Sequence, residues 1–587
     1  MSTDDEDIKE IKKEKLLWEK DILSRSLKKF QINESPNKYF TPLDILDFNY
    51  LEQVGFPGDY PYTAGIYACM APDRIPAKGG GSELASGKGL VRAGGYRGYG
   101  LAEDMRDFYY KLRQAGSKTG PNIAFDLPTQ LGYDSDNLMA KGEVGMTGVA
   151  IDTLRDFEIF YEAFTGEMDL DKIASNWTIN APCNIILAMY IALAEKRGIP
   201  ISKLRGTPQN DILKEYVARG CYIFPVSQSM RMVRDSFTYC TENMPRMNLI
   251  SICGSHMREA GATAEQDLAF VISNSIEYVK LGVQAGLDVD KFVHRFTWLG
   301  FGGSMDLFKE IATSRAARRM WARIMKEQFG AKKPESMLFR SNMWGRSGEI
   351  STTRQRPLNN LCRSIIGGIA SVFSGGAPQE GMGYPFDEPL GLGHSDEAWQ
   401  LHKDAARIIE HEAKLSEVAD PLAGSYYMEA LTDKVEKDAQ ALMDRVKEMG
   451  GSGAAIETNF MQNEIARSAY EFQREVERRE RLIVGVNCFN DESEIDVMPP
   501  RSLPHPYDEK KRANAEARQV AKLAKIKNER DNNKVKETLK EIRDTALEQN
   551  ENIMPSLIEA VKAYATLGEI IGELKSVWGE YSGFSRF

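Results

Sequence analysis

The 587 residues include 42% hydrophobic and 27% charged side chains, the balance of a globular protein with a sizeable core rather than a disordered or fibrous chain. A formal net charge of −10 works against broad attraction to nucleic acid or anionic lipid, so an anionic ligand has to be met locally. No segment approaches the roughly 18 unbroken apolar residues of a membrane span, and MSTDDEDIKEIKKEKLLWEK lacks the apolar stretch of a secretion signal, so a cytoplasmic location is expected.

In chain order, Asp4 to about Phe30 reads as a highly charged helix. Irregular sequence through Pro57, Pro61 and Gly65 follows, and residues 1–90 together read as a helix and wrapping arm. The insert AKGGGSELASGKG is only superficially a phosphate loop. Gly87-Lys88 is followed by Gly89 rather than Ser or Thr, Ser82 stands where that motif needs Gly, and no strand precedes it, so a flexible loop is expected.

From Asn122 onward, short β-type runs alternate with longer helical patterns. NIAFDLP, NWTIN, LRGTPQ, LISICG, RFTWLGF, SMLFRSN and GIASVFSGG are the expected strands. Between them lie helix-length segments such as DTLRDFEIFYEAF, NIILAMYIALAEKRG, NDILKEYVARG, AEQDLAFVISNSIEYVKLGVQAG and SMDLFKEIATSRAARRMWARIMKEQFG, with apolar residues at helical spacing. Seven or eight β-then-α units in series predict an α/β fold, a (β/α)8 TIM barrel over residues 91–490. Residues 491–587 read as a helical C-terminal extension. Its charged part, EKKRANAEARQVAKLAKIKNERDNNKVKETLKEIRD, is expected to be solvated, and MPSLIEAVKAYATLGEIIGELKSVWGEY to dock against a partner or the barrel.

Active sites of such barrels form at the carboxyl ends of the strands, which makes the residues there the candidates. AFDLPTQLGYDSDN places Asp126, Tyr133, Asp134 and Asp136 just past a strand, as a barrel-mouth loop. In LISICGSHMREAGAT a buried strand ends at Gly254-Ser255 and then presents His256, with Glu259 three residues on. Gln209 ends another strand, and Arg219 lies along the next helix, where the ordinary reading is a surface residue. Arg295 opens an apolar strand, and a charge carried into a barrel core costs several kcal/mol unless it meets an anion or a polar network. The seven cysteines form no C-x-x-C pair and read as buried thiols, and the six histidines form no hydrolytic metal motif, so no metal site is expected.

Six ordered motifs, AFDLPT-LGYDSDN, GEVGMTGVAIDTL, QNDILKEY, S-x-x-GSHMREAGAT, DPLAGSYYMEALT and LIVGVNCF, closely resemble the methylmalonyl-CoA mutase family over about residues 45–490. The tail after Pro506 resembles the large subunits of split members. The resemblance implies an isomerase that rearranges the carbon skeleton of an acyl-CoA by a radical route, with adenosylcobalamin as cofactor. In that family cobalamin sits in a domain marked by D-x-H-x-x-G, a pattern that none of the six histidines here fits. The cofactor is therefore expected to be held mainly by a small cobalamin-binding subunit, in a hetero-oligomer, with no nucleic-acid or membrane partner.

By the same resemblance, His256 matches the histidine that hydrogen-bonds the migrating thioester carbonyl, and Gln209 a glutamine near that thioester. Tyr96 and Arg219 match the pair that binds a substrate carboxylate, which implies a carboxylated acyl-CoA such as methylmalonyl-, succinyl- or a bulkier alkylsuccinyl-CoA. Tyr67, Arg295 and Thr297 match positions lining the CoA channel, and Asn122 and Ser255 join the substrate-binding set. Glu259, Gln379 and Glu388 match positions near the corrin or deoxyadenosyl group, with Tyr133 and Gln130 on the same cofactor side.

Departures from the family pattern are Ser255 for a tyrosine, Gln130 for a histidine, Asn342 and Trp344 for histidine and glutamine, and Tyr384 for an asparagine. They imply a rebuilt pocket and a bulkier acyl chain than methylmalonyl, while the contacts of Arg92 stay unassigned. The alternatives are a mutase of a monocarboxylic acyl-CoA, such as isobutyryl- or 2-hydroxyisobutyryl-CoA, and a non-catalytic CoA-binding scaffold.

Overall fold

Residues 5–35, 38–68, 96–114, 116, 118–299, 303–341, 350–375, 385–391, 395–491 and 509–583 are described by a computed structural model. Cys69, Arg92, Asn342, Trp344, Gln379, Tyr384 and the Gly87-Lys88 insert lie outside the described residues, and for Tyr96 the description covers the backbone.

The β-type runs become short parallel strands: β1 (Tyr96–Arg97), β2 (Asn122–Ala124), β3 (Ser175–Thr178), β4 (Gly206–Pro208), β5 (Ile250–Cys253) and β6 (Phe296–Leu299). Sheet order follows chain order, β1-β2-β3-β4 in one ladder and β5-β6 in another, and all the pairings are parallel. The two ladders are joined by a parallel bridge from Gly206 to Met247 and by the Ser251 N–H donating to the Gln209 carbonyl at 2.9 Å. A further bridge from Trp298 to Ser341 adds a seventh parallel segment. Each strand is followed by a helix, among them Ala102–Gln114, Cys183–Lys196, Val226–Asn243, Ala264–Gln284 and Leu307–Glu327. Parallel strands need such crossovers, and the helices cover the apolar face of the arc.

Two expected strands are corrected. The first six residues of GIASVFSGG fall in the helix Asn359–Phe373, whose buried residues are mostly small or polar, Asn360, Ser364, Gly367, Gly368, Ala370 and Ser371, with Arg363 and Val372. The β-branched and aromatic residues of the run had suggested a strand, but the period-3.6 burial of small side chains against the helix Leu307–Glu327 decides otherwise. SMLFRSN contributes only the bridge at Ser341, since its first residues end the short helix Pro334–Met337.

Along the strands, side chains alternate between two environments. Trp177 sits against Tyr190 and Phe157, and Trp298 against Trp321 and Phe339, on the helix side. The opposite positions are small or polar and mostly half-buried: Asn122, Asn176, Thr178, Thr207 and Ser251, with Thr297 more fully buried. In a (β/α)8 barrel the inner side of the strands is normally filled with Val, Ile and Leu. Here the polar residues share their side with Ala124, Cys253 and Leu299, and several of them are partly accessible.

The helix Asp5–Trp18 continues through Phe30 with no fully buried residue in its second half. The arm after it lies on the helix Leu307–Glu327: Arg318 donates to the carbonyls of Tyr62 and Thr63, and Arg323 to that of Glu52.

The charged part of the C-terminal extension is not simply solvated, which corrects the expectation from its composition. Gln519 is buried and donates to Asp152 at 2.7 Å and Asp156 at 3.1 Å, while Lys522 pairs with Asp156 at 2.7 Å. Its large buried apolar residues are few, Leu523, Val535 and Ile542, and stand among many charges, so apolar periodicity was weak there. The last segment docks on the α/β body: helix Met554–Lys562 packs on Cys183–Lys196, and helix Leu567–Trp578 buries Ile570, Ile571 and Leu574. Of the described cysteines, Cys183, Cys221, Cys240 and Cys253 are buried and Cys362 is exposed. Among the described residues, no helix is long and apolar enough to cross a membrane.

Candidate active site at the carboxyl ends of the strands

β4 ends at Pro208, and Gln209 follows at the strand's carboxyl end. The chain then turns at Asn210, whose φ of 53° is tolerated by an asparagine and whose amide donates to the Leu249 carbonyl at 3.1 Å. Asn180, just past β3, donates from Nδ2 to Gln209 Oε1 at 2.9 Å and to Glu215 Oε1 at 2.5 Å. Glu215 is fully buried and also accepts from Lys214 Nζ, from Arg219 Nη1 at 3.2 Å and, on Oε2, from the Cys221 N–H at 3.0 Å. Arg219 Nη1 donates to Gln130 Oε1 at 2.6 Å, and Gln130 Nε2 to the Phe125 carbonyl at 2.6 Å. One continuous polar network thus joins Gln130, Arg219, Glu215, Asn180 and Gln209 from three strand ends.

Arg219 closes a single wide helical turn, Glu215–Arg219, that is terminated by Gly220 at φ 86°. Its side chain keeps 22% exposure, whereas Lys214 and Glu215 are at 0%. The ordinary expectation of a surface helix residue gives way to a cation at the rim of a buried network.

Asp211 ties this network to the next strand. Its Oδ2 accepts from the Cys253 N–H at 2.8 Å and its Oδ1 from the Tyr278 hydroxyl at 2.8 Å. Burial pushes its carboxyl up to about 6, with the Lys214 ammonium and the hydrogen bonds opposing. This fixes the end of β5, after which Ser255 lies 3.1 Å from Cys253 Sγ and begins the short helix Ser255–Glu259. His256 is half-buried there, Glu259 is exposed, and Arg258 anchors the turn by pairing with buried Glu310 at 2.9 Å.

The other candidates divide. Asn122 is half-buried in β2. Thr297 donates to the Ile250 carbonyl at 3.0 Å, on the polar side of β6. Tyr67 is exposed and lies near Arg340, whose Nη2 donates to the Phe296 carbonyl at the amino end of β6. Glu388 is half-buried in the turn Glu388–Leu390, and the Lys575 ammonium lies 5.0 Å from the centre of the Tyr133 ring. Arg295 meets a polar network, but not one at the strand ends. It donates to the carbonyls of Cys240, Met244 and Met247 and to Thr241, capping the helix Val226–Asn243 at the amino end of β6.

The acidic mouth loop is also corrected. Asp134 accepts from Thr566 and the Gly568 N–H, both at 2.6 Å, and Asp136 pairs with Lys527 at 2.8 Å, so both hold the C-terminal extension. Asp126 caps the helix Leu127–Leu131 and accepts from the Gly145 N–H at 2.8 Å. Burial raises its carboxyl from 3.8 to about 6. The folded state therefore binds that proton more tightly than the unfolded chain. The resulting stability is fully present below about 3.8 and is lost as pH rises through about 6. Relative to Asp126→Asn, the unmodified chain is expected to lose about 2–3 kcal/mol between pH 4 and pH 7. Urea unfolding of both proteins at the two pH values measures this, and a pH-independent difference refutes it.

Asn180, Asp211, Lys214 and Glu215, which the network adds to the candidates, were not singled out in the sequence. Asp211, Lys214 and Glu215 stand at i, i+3 and i+4, the ordinary pattern of a solvated helix face, so the sequence carried no signal that this face is buried. Among the described residues no cluster of three or more His, Cys, Asp or Glu is arranged to hold a metal ion.

A family model described as Methylmalonyl-CoA mutase matches residues 31–580. The chain is 38% identical over 582 residues to the 2-hydroxyisobutanoyl-CoA mutase large subunit of Aquincola tertiaricarbonis, covering 97% of both proteins. It is 38% identical over 538 residues to the methylmalonyl-CoA mutase of Escherichia coli (strain K12), covering 91% of this chain and 70% of that one. For the mitochondrial methylmalonyl-CoA mutase of Homo sapiens the values are 37% over 530 residues, 90% and 66%.

Proposed function

The chain belongs to the methylmalonyl-CoA mutase family and is an isomerase of that type, and from that premise we propose that it is the substrate-binding subunit of an adenosylcobalamin-dependent mutase of a carboxylated acyl-CoA. The observation that carries the reading is the single network in which Arg219, partly exposed, reaches Gln130 directly and Gln209 through Glu215 and Asn180.

In this reading the parallel arc closes into a (β/α)8 barrel. Its polar inner positions, Asn122, Asn176, Thr207, Ser251 and Thr297, accommodate an extended pantetheine that a Leu- and Val-filled barrel would exclude. Tyr67 takes the coenzyme A side in this reading. At the carboxyl ends His256 donates to the thioester carbonyl and stabilises charge developing on that oxygen. Gln209, its Oε1 held by Asn180, is fixed beside the same thioester. Arg219 and Tyr96 bind the substrate carboxylate, with the guanidinium pre-oriented by Glu215 and Gln130. Ser255 in place of a tyrosine leaves roughly a ring's volume for a longer acyl chain, as in an alkylsuccinyl-CoA.

The residues present suit a cofactor presented from outside. Glu259, exposed on the short helix after β5, matches a position on the cofactor side, as Glu388 does, and no histidine in the sequence has the D-x-H-x-x-G setting of a lower cobalt ligand. When bound, adenosylcobalamin supplies the radical chemistry, and this chain binds, orients and shields the acyl-CoA. A small cobalamin-binding subunit completes the enzyme, a reading supported by the 97% mutual coverage with a relative named a large subunit.

That relative's name also favours a second reading, a 2-hydroxyacyl or other monocarboxylic substrate. The test is to combine the chain, a cobalamin-binding partner and adenosylcobalamin with succinyl-, methylmalonyl-, 2-alkylsuccinyl-, isobutyryl- and 2-hydroxyisobutyryl-CoA. Isomerisation of the carboxylated thioesters is expected. Turnover of the monocarboxylic ones alone transfers the assignment to the second reading, and no turnover of any favours a scaffold.

A further inference from the structure

We propose that the end of the C-terminal extension, centred on Tyr581, is a positioning element for the Arg219–Gln130 corner and so sets selection for the carboxylated end of the substrate. The inference rests on the role given above to Arg219. Tyr581 acts on the segments that carry the two partners of that corner.

The first of these segments holds Gln130. The helix Leu127–Leu131 ends at Gly132, with φ 75°, and a Cβ there would lie 2.8 Å from Ile571 and 3.0 Å from Ile223. The last helix and the stretch after Arg219 therefore meet at the point where the Gln130 helix stops. Two residues further on, Asp134 receives Thr566 and the Gly568 N–H, so the same helix is bolted to the loop that leaves Gln130.

The second segment holds Arg219. Tyr216, within the turn that ends at Arg219, is stacked on Tyr222, three residues beyond it, with centroids 4.9 Å apart and planes at 7°. This stack staples the two ends of the bend at Gly220. Tyr581 closes it edge-on, 4.9 Å from each ring at 80° and 85°, and its N–H donates to the Ile223 carbonyl at 3.0 Å. Trp578 adds an edge contact to Phe224 at 5.2 Å. Residues 567–581 thus bridge the two strand-end segments from behind, and the 2.6 Å bond between Arg219 and Gln130 forms where both are held. A guanidinium that must meet a carboxylate in one orientation depends on that bracing, and a coenzyme A moiety bound elsewhere does not.

The experiment uses the purified full-length chain and two thioesters that differ at the acyl terminus, succinyl-CoA with a carboxylate and butyryl-CoA with a methyl group. Binding is measured by calorimetry for the unmodified chain, Tyr581→Ala and Tyr581→Phe, with the melting temperature of each sample recorded. Tyr581→Ala is expected to weaken succinyl-CoA about tenfold and butyryl-CoA less than about twofold, while Tyr581→Phe, which keeps the ring, retains both affinities. Equal weakening of both thioesters, as partial unfolding would produce, overturns the proposal, and so does unchanged succinyl-CoA affinity. If the unmodified chain itself shows no preference for succinyl-CoA, it is the carboxylated-substrate reading that fails. A preference that survives Tyr581→Ala defeats only the present inference.

Discussion

Replacing His256 by alanine is expected to lower kcat by about 10²–10³-fold with acyl-CoA affinity changed less than about threefold, the signature of an interaction that strengthens in the transition state. The expectation comes from how the residue is held. β5 delivers the chain to Gly254, Asp211 clamps the Cys253 N–H, and the Arg258–Glu310 pair fixes the short helix on which His256 stands. An imidazole on such a mount loses little entropy on meeting the thioester carbonyl, so its removal is felt in the chemical step rather than in binding. Steady-state kinetics with the reconstituted enzyme, together with calorimetric Kd values for the acyl-CoA, separate the two quantities. An unchanged kcat would remove His256 from the site, and an equal loss in affinity would make its role one of ground-state binding.

The second large effect is expected at Glu215, a residue that sequence inspection passed over. Its carboxylate is fully buried and shared by Lys214, Arg219, the Asn180 amide and the Cys221 N–H. Glu215→Ala leaves the Lys214 ammonium in a dry environment without its partner, which costs about 3–5 kcal/mol. Denaturant unfolding of the two proteins reports that loss. The same change frees Arg219 from one of its two anchors, so binding of a carboxylated acyl-CoA is expected to weaken about tenfold beyond any global effect. A variant within about 0.5 kcal/mol of the unmodified chain would mean that water or a rearranged Asp211 replaces Glu215, and the network would lose its claim to organise the site.

How much of this was legible in the sequence depended on the kind of signal. The strand-and-helix alternation was readable because parallel strands buried beneath helices are short apolar runs between amphipathic stretches, and six of the seven expected strands contribute to the arc, SMLFRSN only through Ser341. GIASVFSGG was misread because its buried face uses Gly and Ser, which carry no hydrophobic periodicity. Arg295 was rightly read as needing polar company, and three carbonyls at a helix end supply it. Asp134 looked like a site residue because turn-forming acids past a strand look alike whether they face a substrate or a docking helix. Here Thr566 and Gly568, more than 400 residues away, decide which.

The sequence by itself determined the family, through six ordered motifs, and the α/β class, through local periodicity that each segment carries within itself. It also named His256, Gln209, Gln130 and Arg219. Only the tertiary structure decided that Gln130, Arg219 and Gln209 belong to one hydrogen-bonded network, that Glu215 and Asn180 hold it together, and that residues 567–581 brace it from behind. The reason is physical. Whether a polar side chain is satisfied by its neighbours or left to meet a ligand is settled by which distant groups share its burial, and that is a property of the packed chain rather than of any stretch of it.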